Sequence, residues 1–320
     1  MTQVTTTSDS TPKPGGQPAV ELANASRWYG NLVAVNDISF DLYPGVTGLL
    51  GPNGAGKSTI LHMLAGFLRP SNGDVRVLGQ PAWRNTEMYR RLGLVQEQEA
   101  VYAFLTGYEF VLASARLHGL PDPHQAARAA IETVDMEEFA GRATGTYSKG
   151  MKQRIKVAAA IVHNPDVLLL DEPFNGMDPR QRIHMMDLLQ QMAAAGRTIV
   201  FSSHILEEVE RVADNVLVIV AGRLAASGDF RAIRKLMTGR PHTFTIRSSD
   251  DRALASALIQ DPSVYGVDLD GNESLVVRTR ELSAFALAAP RIAKEAGIRL
   301  VELRPTDESL ESVFSYLVEQ

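Results

Sequence analysis

The chain has 320 residues, which is enough for one large domain and one small one. Its formal net charge of −5, from 32 basic and 37 acidic residues, gives no sign of the clustered positive surface of nucleic-acid-binding proteins, and we predict no nucleic-acid partner. The absence of cysteine excludes disulfides, thiolate zinc sites and thiol catalysis. No apolar run approaches the roughly 18–20 residues of a membrane-spanning helix, so we expect the chain not to cross a bilayer.

In chain order, the first predicted segment is a disordered leader at residues 1–18, which are rich in Thr, Ser, Pro and Gly and lack the apolar stretch of a secretion signal. An α/β unit is predicted from residue 19 to residue 238. It opens with β-rich runs, and residues 107–145 contain two helical patterns without a strand signal, which indicates a helical insertion. Strand and helix patterns then alternate, which predicts a mostly parallel sheet covered by helices.

The second predicted unit covers residues 240–320, after the pattern breaks near Gly239 and Pro241. Its order of elements is typical of a small α+β sandwich of the ferredoxin-like type. We find no metal-binding or catalytic pattern in this unit. The predicted elements are strand 243–247, helix 251–260, strands 264–269 and 274–279, helix 282–296, strand 298–303 and helix 307–318.

A glycine-rich segment, GPNGAGKST at residues 51–59, matches the pattern G-x-x-x-x-G-K-[ST] and lies between a predicted strand and a predicted helix. Its glycines allow backbone N–H groups to turn towards phosphate oxygens, and the positive end of the helix dipole favours the same negative charge. Lys57 is expected to reach the β- and γ-phosphates, and Ser58 to bind Mg²⁺. The nucleotide-binding residues predicted from this motif are Gly51, Pro52, Asn53, Gly54, Ala55, Gly56, Lys57, Ser58 and Thr59.

An acidic pair follows the apolar run VLLL at residues 167–170. A buried strand at this position carries Asp171 and Glu172 to its carboxyl end, where open α/β sheets bind ligands. We predict that Asp171 holds Mg²⁺ through water and that Glu172 polarises the water that attacks the γ-phosphate. The alternative is that the pair is an acidic helix N-terminal turn before Pro173.

Together with the segment YSKGMKQR at residues 147–154, these motifs resemble the ATP-binding subunit of ABC transporters over about residues 19–238. YSKGMKQR resembles the signature segment of that family, which is commonly LSGGQ. Ser148 is predicted to cap a helix whose positive end is aimed at phosphate, and Gly150 to allow close backbone approach. Lys149 and Met151 depart from the usual glycine and glutamine and leave the fine geometry of this half-site open.

The same resemblance implies three further site residues. Tyr29, in RWYG, is similar to the aromatic residue that stacks on adenine, with Trp28 as the rival position. Asp178, in FNGMDP, is similar to the D-loop aspartate that lies near the partner's signature. His204 follows a predicted buried strand and resembles the switch histidine that contacts the γ-phosphate.

The Q-loop position of the family falls on Glu97, which has Gln96 and Gln98 on either side. A carboxylate is a hard oxygen ligand, so Glu97 also suits Mg²⁺ or its bound water. Whether Glu97 or Gln96 is the Q-loop residue stays open. By resemblance, this loop and residues 107–145 receive the cytoplasmic coupling helix of a membrane subunit.

The resemblance implies an ATPase that uses Mg²⁺ and dimerises, with the signature of one chain covering the γ-phosphate bound to the other. It also implies a separate multi-helix permease, which the ATPase drives from the cytoplasmic face of the membrane. The signature variant and the tail DESLESVF, residues 307–314, are most similar to ABC-2-type exporters. Homodimer, heterodimer and cargo stay open. The alternative is a soluble ABC ATPase with a non-membrane partner, as in iron–sulfur assembly.

Overall fold

The computed structural model describes residues 16–98, 101–229, 242–270, 274–279 and 281–305. The chain separates into two compact units near residue 230. Residues 1–15 of the predicted leader and the predicted helix 307–318 lie outside the described residues. Within the described ranges, no helix combines the length and the apolar character needed to cross a membrane.

Ten strands and six α-helices make up the described part of the first unit. In chain order they are β1 (Val20–Tyr29), β2 (Leu32–Leu42), β3 (Gly45–Leu50), α1 (Lys57–Leu64), β4 (Asn72–Val77), β5 (Gln80–Pro81), β6 (Leu92–Val95), α2 (Gly107–Leu117), α3 (Pro123–Thr133), α4 (Lys149–Ile161), β7 (Val167–Leu170), α5 (Pro179–Ala194), β8 (Thr198–Ser203), α6 (Leu206–Val212), β9 (Asn215–Val220) and β10 (Arg223–Gly228).

The N-terminal strands form an antiparallel sheet in the order β2-β1-β4-β5. One side of this sheet packs onto α1, because Val20, Leu22 and Ile38 share a buried cluster with Ile60 and Leu61 of that helix. Apolar side chains removed from water supply the main favourable free energy for this contact. The β-rich subdomain thereby supports the helix that follows the glycine-rich loop.

The larger sheet has the order β10-β9-β3-β8-β7-β6. Five neighbouring strands of this sheet pair in parallel, namely β9, β3, β8, β7 and β6. The edge strand β10 pairs antiparallel to β9. Every residue of β7 and β8 is buried, and β7 is accordingly an unbroken apolar run, whereas β8 carries buried serines at its carboxyl end. The predicted mostly parallel sheet is confirmed, and the carboxyl ends of β3, β8 and β7 lie side by side at one edge.

Strand β10 was not predicted, because the sequence pattern after Val220 offers a weak turn signal. The turn into β10 places Ala221 at φ +46° and Gly222 at φ +76°. Two-residue hairpins that require two left-handed residues usually carry Asn-Gly or Asp-Gly, and alanine seldom adopts this conformation. The tertiary contacts of the sheet therefore outweigh a local preference at Ala221.

The helical insertion contains α2 and α3, which pack against each other and against α4. A capping box between Thr106 and Glu109 starts α2, and Asp122 caps α3 immediately before Pro123. The second helical pattern was expected to continue to residue 140, but α3 ends at Thr133. Asp135 adopts φ +50°, a left-handed conformation that a helix does not accommodate.

The second unit has the elements β11 (His242–Ser248), α7 (Asp251–Leu258), β12 (Val264–Asp270), β13 (Ser274–Thr279), α8 (Leu282–Glu295) and β14 (Leu300–Pro305). Its antiparallel sheet has the order β12-β13-β11-β14. This β-α-β-β-α-β arrangement is the predicted ferredoxin-like one. The last strand starts two residues later than predicted, because Gly297 at φ +70° ends the turn after α8. Phe244 and Phe285 join its two layers, with ring centroids 4.9 Å apart.

Strand β6 lies directly against the backbone of α4 at Gly93. A Cβ atom at this position would collide with the carbonyl oxygen of Ala160, and the side chain of Leu168 would lie 2.9 Å away. Backbone atoms move less easily than side-chain ends, so a methyl group here must displace the helix from the strand. Glycine is therefore required by close approach at this site.

We expect Gly93→Ala to lower the free energy of unfolding by about 1–3 kcal/mol, the usual cost of overpacking. Urea unfolding followed by tryptophan fluorescence would measure the change. Gly141→Ala is the matched control, because a Cβ there meets nothing within 4 Å. Equal stability of both variants would contradict the proposed close contact.

Candidate functional site

The glycine-rich loop connects the end of β3 to the start of α1. Gly54 and Gly56 have φ values of +80° and +103°, and a Cβ at Gly56 would lie 2.5 Å from the carbonyl oxygen of Ala34. Glycine is needed at both positions, for conformation and, at Gly56, also for space. Gly56 brings no side-chain cap to α1, so the first N–H groups of this helix remain suited to an anion.

The ammonium of Lys57 lies inside this loop with 6% of the residue exposed. Its Nζ donates to the carbonyl oxygens of Gly51 at 2.7 Å and Pro52 at 3.2 Å, and it lies 3.7 Å from Oε1 of Glu172. Burial lowers the pKa of Lys57, and the negative charges of Glu172, Asp171 and Glu97 oppose that effect. A phosphate group bound in the loop offers this cation a charged acceptor in place of neutral carbonyls.

Asp171 follows β7 and is held in place by the neighbouring strands. Its Oδ1 accepts a hydrogen bond from Ser202 Oγ at 2.6 Å, and its backbone N–H donates to Val95 O at 2.8 Å. Ser202 Oγ also accepts from the backbone N–H of Glu172 at 2.8 Å. No sequence pattern singles out Ser202, since a serine within a buried strand gives no separate signal. Its hydroxyl orients the carboxylate of Asp171.

Glu172 is 8% exposed and adopts φ +49°. A non-glycine residue in this region stores backbone strain, a feature that concentrates at functional sites. The pair is not the start of a helix, because α5 begins only at Pro179, so that alternative is wrong. Burial raises the pKa of Glu172, and His204 and Lys57 oppose the rise.

His204 follows β8 and contacts Glu172, which follows the adjacent strand β7. Its Nδ1 lies 3.0 Å from Oε2 of Glu172, and its side chain is 41% exposed. The residue before it, Ser203, donates through Oγ to Glu208 at 2.6 Å, and Glu208 also pairs with Arg182 of α5 at 3.3 Å. The backbone at His204 is therefore held in place by its neighbours, while the partly exposed imidazole ring contacts both the Glu172 carboxylate and solvent.

The residues suited to Mg²⁺ are Ser58 at the start of α1 and Asp171 at the end of β7. Both supply hard oxygen donors, and Asp171 is buried with its orientation set by Ser202. Mg²⁺ commonly takes one or two protein oxygens and completes its shell with water and phosphate oxygens. These donors fit Mg²⁺.

The signature-like segment and the D-loop-like segment lie against each other. Ser148 caps α4, with Oγ accepting from Met151 N at 3.2 Å, and Asp178 caps α5. A Cβ at Gly150 would lie 2.7 Å from Oε1 of Gln181 and 3.2 Å from the carbonyl oxygen of Gly176. A Cβ at 150 would require the Gln181 side chain to turn away and the Gly176 carbonyl to shift by a few tenths of an ångström. The two segments therefore form one continuous surface of the chain.

Tyr29 and Trp28 both end β1 with substantial exposure, at 42% and 46%. The guanidinium of Arg27 lies 4.8 Å from the centre of the Tyr29 ring and over its face. Glu97 follows β6 and is exposed. Its carboxylate is close enough to Lys57 to favour the charged form of that lysine.

Comparison with known proteins places these features in a family. The model of the ABC transporter family matches residues 35–175. The chain is 31% identical to the bacitracin transport ATP-binding protein of Enterococcus faecalis, over 93% of this chain and 96% of that protein. It is 33% identical to the Nod factor export ATP-binding protein I of Rhizobium leguminosarum, over 92% of this chain and 93% of that protein. This chain belongs to the ABC transporter ATP-binding family.

An ABC transporter ATP-binding protein of Nostoc sp. is 39% identical, and the alignment covers 62% of this chain and 60% of that protein. Among solved structures, an ATP-binding subunit of an ABC transporter superposes with a TM-score of 0.63 and 28% identity, over 68% of this chain and 93% of that one. The predicted ABC ATPase fold is confirmed. As a member of this family, the chain is an ATPase that hydrolyses ATP to ADP and phosphate.

The contact between His204 and Glu172 predicts a shift in the pH dependence of this ATPase. Replacing His204 by Ala removes the hydrogen bond and the charge that lower the pKa of Glu172, so that pKa rises further. We expect the acid limb of the pH profile of kcat/KM to move to higher pH, because a protonated Glu172 cannot accept a proton from water.

This shift would be measured from the pH profile of kcat/KM between about pH 5 and pH 9. His184→Ala is the control, since His184 pairs with Asp135 at 2.6 Å on the surface of α5. An acid limb that keeps its position in His204→Ala would show that the histidine does not tune Glu172.

Proposed function

We propose that this chain is the ATP-hydrolysing subunit of an ABC exporter and works as a dimer that holds two ATP molecules between its subunits. A separate membrane-spanning permease converts closure and reopening of the dimer into transport. The observation that carries the proposal is that one chain has two groups of residues suited to phosphate, each held by its own contacts, which we assign as two halves of an ATP site. The first half is the P-loop, which is the glycine-rich loop at residues 51–59, together with Asp171, Glu172 and His204. The second half is the surface of Ser148, Gly150 and Asp178.

The two halves are chemically complementary. The P-loop half supplies Lys57 and the start of α1, which hold the phosphates from one side. The second half presents the start of α4, whose positive dipole end and Ser148 hydroxyl suit the outer oxygens of a γ-phosphate. Because Gly150 packs on the D-loop segment of its own chain, the whole second half meets a partner as one body. A head-to-tail dimer completes both sites.

Hydrolysis in such a site depends on position and charge. When bound by Ser58 and Asp171, Mg²⁺ supplies positive charge to the phosphate oxygens. Glu172 orients the attacking water and accepts its proton, and His204 holds Oε2 of Glu172 at 3.0 Å. Lys57 stabilises negative charge on the leaving phosphate oxygens. The products are ADP and inorganic phosphate, and loss of the γ-phosphate removes the bridge between the two subunits.

The assignment as an exporter is supported by relatives that align with both units of the chain. One is named for Nod factor export and another for bacitracin transport, and each alignment covers more than 90% of this chain. The subunit is then expected at the cytoplasmic face of the membrane, held there by its permease. The permease is expected to contact the cargo.

We expect Glu172→Gln to form a stable dimer in the presence of ATP and Mg²⁺, because the variant binds ATP without a carboxylate to accept the proton from water. Size-exclusion chromatography with light scattering would measure the mass. With ADP, the same variant should stay monomeric. A monomer at saturating ATP would contradict the proposed sandwich.

Two double variants separate dimerisation from nucleotide binding. Glu172→Gln with Ser148→Ala should bind ATP as a monomer with a Kd within about twofold of Glu172→Gln, but dimerise weakly. Glu172→Gln with Lys57→Ala should lose ATP binding itself, because it lacks the phosphate-binding cation. If the Ser148 variant lost monomer binding equally, a role for Ser148 in the partner's site would be ruled out.

The exporter assignment predicts a specific membrane partner. We expect the tagged chain, extracted from native membranes in mild detergent, to co-purify with a protein of several membrane-spanning helices. When the complex is reconstituted in lipid vesicles, its ATPase activity should differ from that of the chain without the permease. Recovery of a soluble partner only, such as an iron–sulfur assembly protein, would favour a soluble ABC ATPase instead.

A further inference from the structure

A buried lysine outside the predicted site grips the backbone that follows β6. Lys156 lies in α4 and is 7% exposed. Its Nζ donates to three consecutive carbonyl oxygens, of Gln96 at 2.6 Å, Glu97 at 3.4 Å and Gln98 at 3.1 Å. A lysine ammonium has three N–H donors, and burying it is costly unless they find acceptors. The three carbonyls meet this requirement.

The gripped segment, residues 96–98, is also tied to the catalytic edge of the sheet. The residue before it, Val95, accepts a hydrogen bond from the backbone N–H of Asp171 at 2.8 Å. On its other side, β6 touches α4 at Gly93, where a side chain does not fit. Lys156 lies one helical turn before Ala160, the residue that Gly93 contacts. The segment is therefore held between Asp171 and α4.

Residues 96–98 and α4 each carry a predicted functional group. Glu97 lies within the segment, and its negative charge is the smallest of the effects that raise the pKa of Lys57 in the glycine-rich loop. Ser148, at the start of α4, lies eight residues before Lys156, which corresponds to about 12 Å along the helix axis. Lys156 lies within this helix, and Ser148 is its N-cap. Lys156 thus connects Glu97, which is predicted to act at the ATP of its own chain, to Ser148, which is predicted to act at the partner's ATP.

We propose that Lys156 is a positioning residue that fastens residues 96–98 to α4, so that Glu97 and Ser148 of one chain move together. Its catalytic consequence rests on the proposed dimer, in which Ser148 serves the partner's ATP and Glu97 the chain's own. Loss of the Lys156 hydrogen bonds leaves both half-sites folded, but Glu97 and Ser148 then no longer keep a fixed position relative to each other. Mg²⁺ use and turnover then suffer, whereas ATP binding by the monomer does not.

The kinetic test compares Lys156→Met with Lys156→Arg. In Lys156→Met we expect kcat to fall about tenfold, because catalytic groups are misplaced while binding remains. The Mg²⁺ concentration for half-maximal rate should rise about fivefold, because Glu97, which is predicted from the sequence to bind Mg²⁺ or its water, loses its position. Lys156→Arg should restore kcat to within about threefold of wild type, since a guanidinium also donates to carbonyl oxygens.

Two controls show whether the effect is local. Lys294→Met replaces an exposed lysine of α8 and should leave kcat unchanged. The monomer Kd for ATP, measured in Glu172→Gln backgrounds at low protein concentration, should change by less than about twofold in Lys156→Met. If Lys156→Met does not fold, Lys156→Gln takes its place, because a neutral amide that is one bond shorter weakens the bonds to the carbonyls while keeping a polar group in the buried position.

A double-mutant cycle with Glu97→Gln tests the route of the effect. If Lys156 acts by holding Glu97, the double variant should lose no more than about twofold beyond the weaker single variant. Multiplication of the two losses means that Lys156 does not act through Glu97, and it overturns the proposal. Unchanged kcat and Mg²⁺ dependence in Lys156→Met overturn it as well.

Hydrogen exchange of the nucleotide-free protein examines the fastening without catalysis. Amides of residues 96–98 should exchange about tenfold faster in Lys156→Met, while those of β8 keep their protection. Unchanged exchange at 96–98 overturns the proposal even if the enzyme is active. If Glu172→Gln stays monomeric with ATP, the proposed function fails and takes the link to the partner's site with it, whatever the exchange result at residues 96–98.

Discussion

The parallel pairing of β3, β8 and β7 is the constraint on which the rest of the site depends. Leu50 pairs with Ser203, and Leu170 pairs with Phe201. Strands that run in the same direction end at the same edge, so the P-loop, the acidic pair and His204 leave the sheet side by side. Because these strands are buried, a slip in their register would expose apolar side chains. Core packing therefore holds the catalytic groups in place.

At that edge, the buried charges balance one another. Glu172 lies between the ammonium of Lys57 and the imidazole of His204. Burial alone shifts the pKa of Lys57 down and that of Glu172 up, and each charge opposes the shift of the other. The site thus holds a cation suited to phosphate beside the carboxylate that we propose acts on water. Such preorganisation reduces the reorganisation needed during the reaction.

The surface that we assign to the partner's ATP is built differently, from helix starts and close backbone approach. Its residues are joined to the sheet at two points. Arg182 of α5 pairs with Glu208, which binds Ser203 beside His204. Lys156 of α4 binds the carbonyls that follow β6. Both connections join the helices of the proposed second half-site to strands of the large sheet.

Local patterns in the sequence determined the P-loop, the acidic pair, the mostly parallel sheet and the ferredoxin-like order of the second unit, since motif spacing and apolar periodicity are short-range properties. The tertiary structure alone decided which distant residues meet. Ser202 orients Asp171 from 31 positions away, and Lys156 reaches carbonyls about 60 positions earlier. The turn into β10 also ignores the local preference of Ala221. Such contacts depend on strand register and helix placement, and these follow from packing the whole unit, which no short stretch of sequence encodes.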